Sequence, residues 1–180
     1  MRKLILCMFL LGIITTGHTQ ILLKEANVFS DAASLKLDPY SNSLTIHIPE
    51  TRVGEFGEDP LMFLKNHFNV NNFVQANKDL NFSSYQVWFK TKKGYMVAEL
   101  DKEGKLLYSV QKFRNIILPQ ETRKGIRAKY PNAVIVQNKY VATTNGWDLN
   151  RKFYMVKIKD GNKVKRLHLE APQSNALAGL

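Results

Sequence analysis

From Tyr85 onward the chain alternates with a period of two. Tyr85, Val87 and Phe89 share one side of a predicted strand, and Gln86, Trp88 and Lys90 share the other, as in a half-buried β-strand. Thr91 to Gly94 turns the chain and Tyr95 to Leu100 returns it. The run DKEG at 101–104 forms the next connection, with Gly104 placed for the positive φ that closes such a loop, and Lys105 to Phe113 continues the meander. The same pattern returns later. Ala133 to Val141 reads as a strand, Thr143 to Trp147 as a turn, and Lys152 to Lys159 as a strand. Asp160-Gly161 is a tight turn into a strand from Val164 to Leu169. Two segments say nearly the same thing. YQVWFKTKKGYMVAELD (85–101) and YMVKIKDGNKVKRLHLE (154–170) each open on Tyr-x-Val and turn through Gly and Lys.

Each of these segments follows a helix-like stretch. Asp59-Pro60 is a helix start, an N-cap acceptor followed by a residue whose missing N–H costs nothing in the first turn. Leu61, Leu64 and Phe68 then fall on one stripe. Pro119 and Glu121 suit the first turn of a second helix, and Lys124, Arg127 and Lys129 its last, where the helix dipole favours cations. Thr122, Ile126 and Tyr130 form its stripe before Pro131 ends it. Upstream, Leu44, Ile46 and Ile48 alternate with Thr45 and His47 as a strand that Pro49 terminates, while Gly54, Gly57 and the acidic residues around them read as a loop. The expected fold is α+β, a repeated unit of helix plus antiparallel β-meander spanning 58–116 and 117–171, preceded by an N-terminal segment (20–57) with at least one strand. A flexible tail (172–180) is expected to follow.

The N-terminus changes the picture. Arg2 and Lys3 precede an apolar run from Leu4 to Ile14, and Gly17 and Thr19 supply small residues. This predicts a signal peptide over 1–19, cleaved near Thr19/Gln20, and a periplasmic or secreted mature chain. The run is shorter than the about 20 apolar residues of a transmembrane helix. Cys7 is the only cysteine and lies inside that run, far from a lipidation position. The mature chain is therefore expected to fold on a hydrophobic core without disulfides or thiolate metal sites. The formal net charge of +11 loses only Arg2 and Lys3 on cleavage. Such an excess favours acidic partners, a protein or an anionic envelope component, although interspersed lysines also suit a plain solvated surface.

The run LPQETRKGIRAKYPNAVIV at 118–136 and the segment KFYMVKIKDGNKVKRLHLE at 152–170, together with DKEGKLL at 101–107, resemble the PepSY-like domains of secreted Bacteroidetes-type proteins, also called β-lactamase-inhibitor-like. The resemblance covers about Phe63 to Glu170 and rests on Leu118-Pro119, Ile126, Tyr130-Pro131, Val134, Val136 and the strand-DG-strand hairpin. It implies helices packed on one face of a curved antiparallel sheet and a binding or inhibitory module, and it brings no catalytic residue with it. The first unit departs from the second in lacking a Leu-Pro helix entry.

The chemistry-bearing motifs point the same way. The sequence has no glycine-rich phosphate loop, no G-x-S-x-G, no H-E-x-x-H and no Cys pair. A nucleotidyl-transferase reading fails because Gly17-His18 lies in the signal peptide, outside any strand-loop-helix context. His47, His67 and His168 are far apart in sequence, so no metal and no cofactor is expected. Glu55, Glu58 and Asp59, like Asp101 and Glu103, are accounted for as loop, cap and turn residues. No RNP-like or helix-turn-helix pattern indicates nucleic acid.

One constellation remains. If Tyr85, Val87, Tyr154, Val156 and Ile158 face the core, then Gln86, Trp88, Lys90, Phe153, Met155 and Lys157 face away from it, joined by Arg166 and His168. Aromatic anchors beside cations are what concentrates energy at interfaces. The expected function is a noncatalytic module that recognises an envelope or exported protein through this face, the alternative being an inhibitor of a periplasmic protease or other hydrolase. Burial of these aromatics under the N-terminal segment or a second copy of the chain is the other reading of the same residues.

Overall fold

A computed structural model describes residues 35–171. The expected signal peptide, with Cys7, and the tail at 172–180 lie outside the described residues. In the described part, seven strands form one continuous sheet in chain order: β1 (Ser43–His47), β2 (Ser84–Thr91), β3 (Gly94–Asp101), β4 (Leu106–Arg114), β5 (Val134–Asn145), β6 (Asp148–Asp160) and β7 (Lys163–Glu170). Four short helices accompany it: α1 (Val53–Glu58), α2 (Pro60–His67), α3 (Val70–Asn77) and α4 (Gln120–Lys129).

This corrects the expected α+β fold of repeated helix-plus-meander units. The molecule is dominated by a single mixed sheet, because β1 pairs in parallel with β2 while every later pair is antiparallel. A parallel pair needs a crossover, and α1, α2 and α3 are that crossover. The two helical regions are thus not equivalent: one is a three-helix crossover between β1 and β2, the other a single helix between β4 and β5. The similar segments at 85–101 and 154–170 are the hairpins β2–β3 and β6–β7 of that one sheet.

Three local expectations also change. Gly54 and Gly57 lie in α1 and not in a loop, because Phe56 between them is fully buried and packs on Phe63, Phe89 and Phe113; tertiary burial overrides glycine's poor helix propensity. The segment Val70–Asn77 is a helix capped by Asn69, which accepts from the Asn72 N–H. The turn expected over 143–147 shrinks to Gly146 and Trp147, so β5 and β6 run longer than their apolar stretches. Elsewhere the local chemistry is as read: Asp59 caps α2 by accepting from the Leu61 and Met62 N–H groups, and Gly104 and Gly161 take positive φ at their turns.

The core lies between the helices and one face of the sheet. Val87 and Phe89 on β2, Met96 and Ala98 on β3, Phe113 on β4, and Val156 and Ile158 on β6 meet Phe56, Phe63, Leu64, Phe73 and Ile126 from the helices. Leu35 and Leu37 join this core and are tied to α3 by Asn77. Its amide oxygen accepts from the Leu37 N–H at 2.7 Å and its NH2 donates to the Leu35 carbonyl at 2.8 Å. Polar residues also point inward: Ser109 and Thr144 bond each other across β4 and β5 at 3.0 Å, and Asn138 both accepts from and donates to the backbone of Ile116.

Tyr140 and Tyr154 lie against each other within this layer, ring centroids 5.4 Å apart and planes tilted by 51°. Burial pushes the Tyr154 phenol up to about 12, and burial with the nearby Tyr154 and Asp59 charges raises Tyr140 as well. An unfolded tyrosine titrates at about 10, so above that pH the unfolded chain loses protons that the folded chain retains. The stabilising contribution is whole below pH about 10 and is lost as pH rises through the folded value of about 12. The melting temperature is expected to fall over that alkaline window, and to fall less steeply in Tyr154→Phe. Equal slopes for the two proteins would refute the assignment.

Candidate functional site

Strand pleating sends alternate side chains to opposite faces, so the registers define what the face away from the helices carries. One row crosses the sheet through Lys90, Tyr95, Lys112, Val141 and Phe153, and the next through Trp88, Val97, Val110, Thr143 and Arg151. Other positions on this face are Gln86, Glu99 and Tyr108 at one end of the strands, and Arg114, Lys139, Met155 and His168 at the other. No helix covers it among the described residues.

All eight expected site residues fall on this face, in two groups. Gln86, Trp88 and Lys90 are on β2; Phe153, Met155 and Lys157 are on β6, with Arg166 and His168 beside them on β7. Four strand spacings, about 19 Å, separate the groups. In the first, the Trp88 and Tyr95 rings lie 5.0 Å apart and the Lys90 ammonium sits 5.6 Å from the Trp88 ring centroid, an aromatic pair with a cation–π contact. Gln86 is not free to bind: its NH2 donates to Glu99 at 3.2 Å, and the same carboxylate accepts from the Ser84 and Tyr108 hydroxyls. That hydrogen bond, then burial and the Glu99 charge, holds the Tyr108 phenol above its ordinary pKa.

In the second group Phe153 stacks on His168, centroids 4.3 Å apart and planes 18° from parallel, with the Arg151 guanidinium 5.9 Å from the Phe153 ring. Arg151, Phe153, His168 and Glu170 line a recess of about 490 Å³ at this corner. Met155 is directly opposite His168, and Lys157 directly opposite Arg166.

Sequence reasoning missed the middle of the face: Tyr95, Val97, Val110, Lys112, Arg114, Lys139 and Val141. Their strands hide it, because inward positions there are often polar (Ser109, Gln111, Asn138, Thr144) while outward positions include Tyr108, Val110 and Val141. Hydropathy alternation alone therefore reads β4 and β5 with faces exchanged; only the pairing register resolves it.

Two cross-strand pairs set the electrostatics. Arg114 is opposite Lys139 and Lys157 is opposite Arg166, so like charges face each other across adjacent strands. Such pairs are destabilising. The carboxylates nearby are Glu99, already bonded by three neutral groups, and Glu170 on the edge strand, with Asp101 and Asp148 at strand ends. Among the described residues, no three His, Asp or Glu side chains gather as a metal site.

The histidines do separate things. His67 ends α2, where its Nε2 is bonded to Glu55 and its Nδ1 lies 3.0 Å from an Arg52 guanidinium nitrogen, tying the segment before α1 to α2. His47 lies on β1 opposite Lys90, and His168 under Phe153.

Fold and face together define an open-faced mixed β-sheet protein with a basic, aromatic exposed surface. No family model, no curated protein and no solved structure matches the chain.

Proposed function

We propose that the chain is a noncatalytic binding module, exported to the cell envelope or beyond it, whose open sheet face takes an acidic protein partner. The observation that carries this reading is the pair of like-charge cross-strand contacts, Arg114 with Lys139 and Lys157 with Arg166. Each costs the free protein stability that an approaching carboxylate returns. The aromatic pairs Trp88–Tyr95 on β2 and β3 and Phe153–His168 on β6 and β7 supply apolar anchor area beside those cations. The cations are spread at strand spacing over a broad surface and do not converge on one point, which suits an extended acidic surface better than a reacting centre. Export is supported by the charged start and apolar run at Arg2 to Ile14. No helix among the described residues is long and apolar enough to cross a membrane.

The charge pairs make the test sharp, because stability and binding should move in opposite directions. Lys157→Glu replaces a repulsive pair with an attractive one, so it should raise stability by roughly 0.2–1 kcal/mol. The same change should weaken capture of acidic proteins from an envelope extract, as should Trp88→Ala, and salt should elute what the wild type holds. Retention of the same proteins, in the same amount, by both variants would sink the proposal.

A further inference from the structure

The opposite side of the sheet carries a second feature. The helix layer leaves β5 partly uncovered, and a cleft of about 230 Å³ opens there between α2 and the β5–β6 hairpin. Its walls are Leu61 and Met62 from α2 and Trp147 and Leu149 from the hairpin; Met62, Trp147 and Leu149 are 44%, 49% and 49% exposed. Large apolar side chains held half-open around one concavity mark a binding site more often than idle surface.

The floor supplies the second observation. Gln111 on β4 and Tyr140 on β5, 5% and 3% exposed, set an amide and a phenol hydroxyl in the lining of the cleft. Among the described residues no side-chain nitrogen or oxygen is sealed away unpartnered, and both residues line the cleft. Both groups can serve a ligand hydroxyl as donor or acceptor.

The mouth carries charge. Lys65, one turn beyond Met62 on α2, places its ammonium 5.9 Å from the Trp147 ring centroid. Asp59 also lines the cleft, but one carboxylate oxygen is taken by the Leu61 and Met62 N–H groups, and Lys152 lies close enough to feel its charge. Lys65 is the cation of the lining and faces the Trp147 ring.

We infer that this cleft is a binding site for a small hydroxyaryl carboxylate. The ring lies between Trp147 and Met62, its hydroxyl meets Gln111 and Tyr140 on the floor, and its carboxylate meets Lys65 at the mouth. The volume is below the about 300–1,000 Å³ of sites for drug-sized ligands, which limits the occupant to a single substituted ring. This site is on the other side of the sheet from the basic face and stands or falls independently of it.

The chain has two tryptophans, so Trp88→Phe leaves Trp147 as the sole indole reporter. Titration of that variant with 4-hydroxyphenylacetate is expected to give a saturable change in emission, matched by calorimetry on the unaltered chain. Lys65→Ala and Gln111→Leu should each weaken binding roughly tenfold, the size of one lost charged or buried hydrogen bond. Truncated probes separate the two ends: p-cresol should ignore Lys65→Ala, and phenylacetate should ignore Gln111→Leu. No saturable change, or equal affinity in the unaltered chain and Lys65→Ala, would overturn the inference. Lys65 is exposed, so that comparison stands even where Gln111→Leu disturbs the sheet.

Discussion

Phe89→Ala is expected to destabilise the protein by about 4 kcal/mol. Phe89 is fully buried on β2, and its ring lies 6.3, 6.3 and 5.9 Å from those of Phe56, Phe63 and Phe68. It is the point where α1 and both ends of the α2 packing face rest on the sheet. Truncation removes the transfer free energy of the ring and leaves a cavity that Phe56 on α1 and Phe63 and Phe68 on α2 and its C-terminal cap cannot fill together. A loss of that size approaches the whole stability of a marginal domain, which is about 5–15 kcal/mol, and should lower the melting temperature by roughly 10 °C or more. Phe89→Leu, which keeps most of the volume, should cost much less, about 1–2 kcal/mol. Urea denaturation of the two variants measures both. A Phe89→Ala cost under about 1 kcal/mol would mean that the aromatic cluster is not the centre of the core.

The second large effect belongs to a polar residue. Asn77→Ala should cost about 3 kcal/mol, because the side chain is 2% exposed and fully used. Its oxygen accepts from the Leu37 N–H, and its NH2 donates to the carbonyls of Leu35 and Phe73. Alanine leaves the Leu37 N–H and the Leu35 carbonyl without these partners and unties the segment that precedes β1. The loss should therefore be accompanied by new protease sensitivity before residue 43, detectable by limited digestion. A stable, protease-resistant Asn77→Ala would show that Leu35 and Leu37 hold their place by apolar packing alone. Asn77→Asp separates the contributions, since it keeps the acceptor for Leu37 and removes both donated bonds.

What could be read in advance follows a physical division. Hairpins whose turns carry glycine at positive φ, and strands with apolar residues on the buried side, declare themselves locally; β2, β3, β6 and β7 were legible for that reason. The common facing of the eight residues was legible too, because all belong to those strands. β4 and β5 were legible as strands but not in their facing, since Ser109, Gln111, Asn138 and Thr144 satisfy or present polar groups inside while Val110 and Val141 lie outside. The helix through Gly54 and Gly57 was illegible because burial of Phe56, a tertiary event, decides it. The mixed character of the sheet could not be seen either. Nothing in Ser43–His47 states whether its partner runs with it or against it; only the crossover through α1–α3 does.

The parallel pairing of β1 has a consequence for the basic face. From β2 to β7 the strands are antiparallel neighbours in both sequence and space, joined by tight turns except for the α4 connection between β4 and β5, whereas β1 is held in parallel across the longer excursion over residues 48–83. The strand that bears Trp88 is therefore interior only as long as β1 stays docked. If β1 departs, β2 becomes a border, its backbone N–H and C=O groups come into the open, and the aromatic cluster is then one step from a free strand edge able to accept a visiting strand.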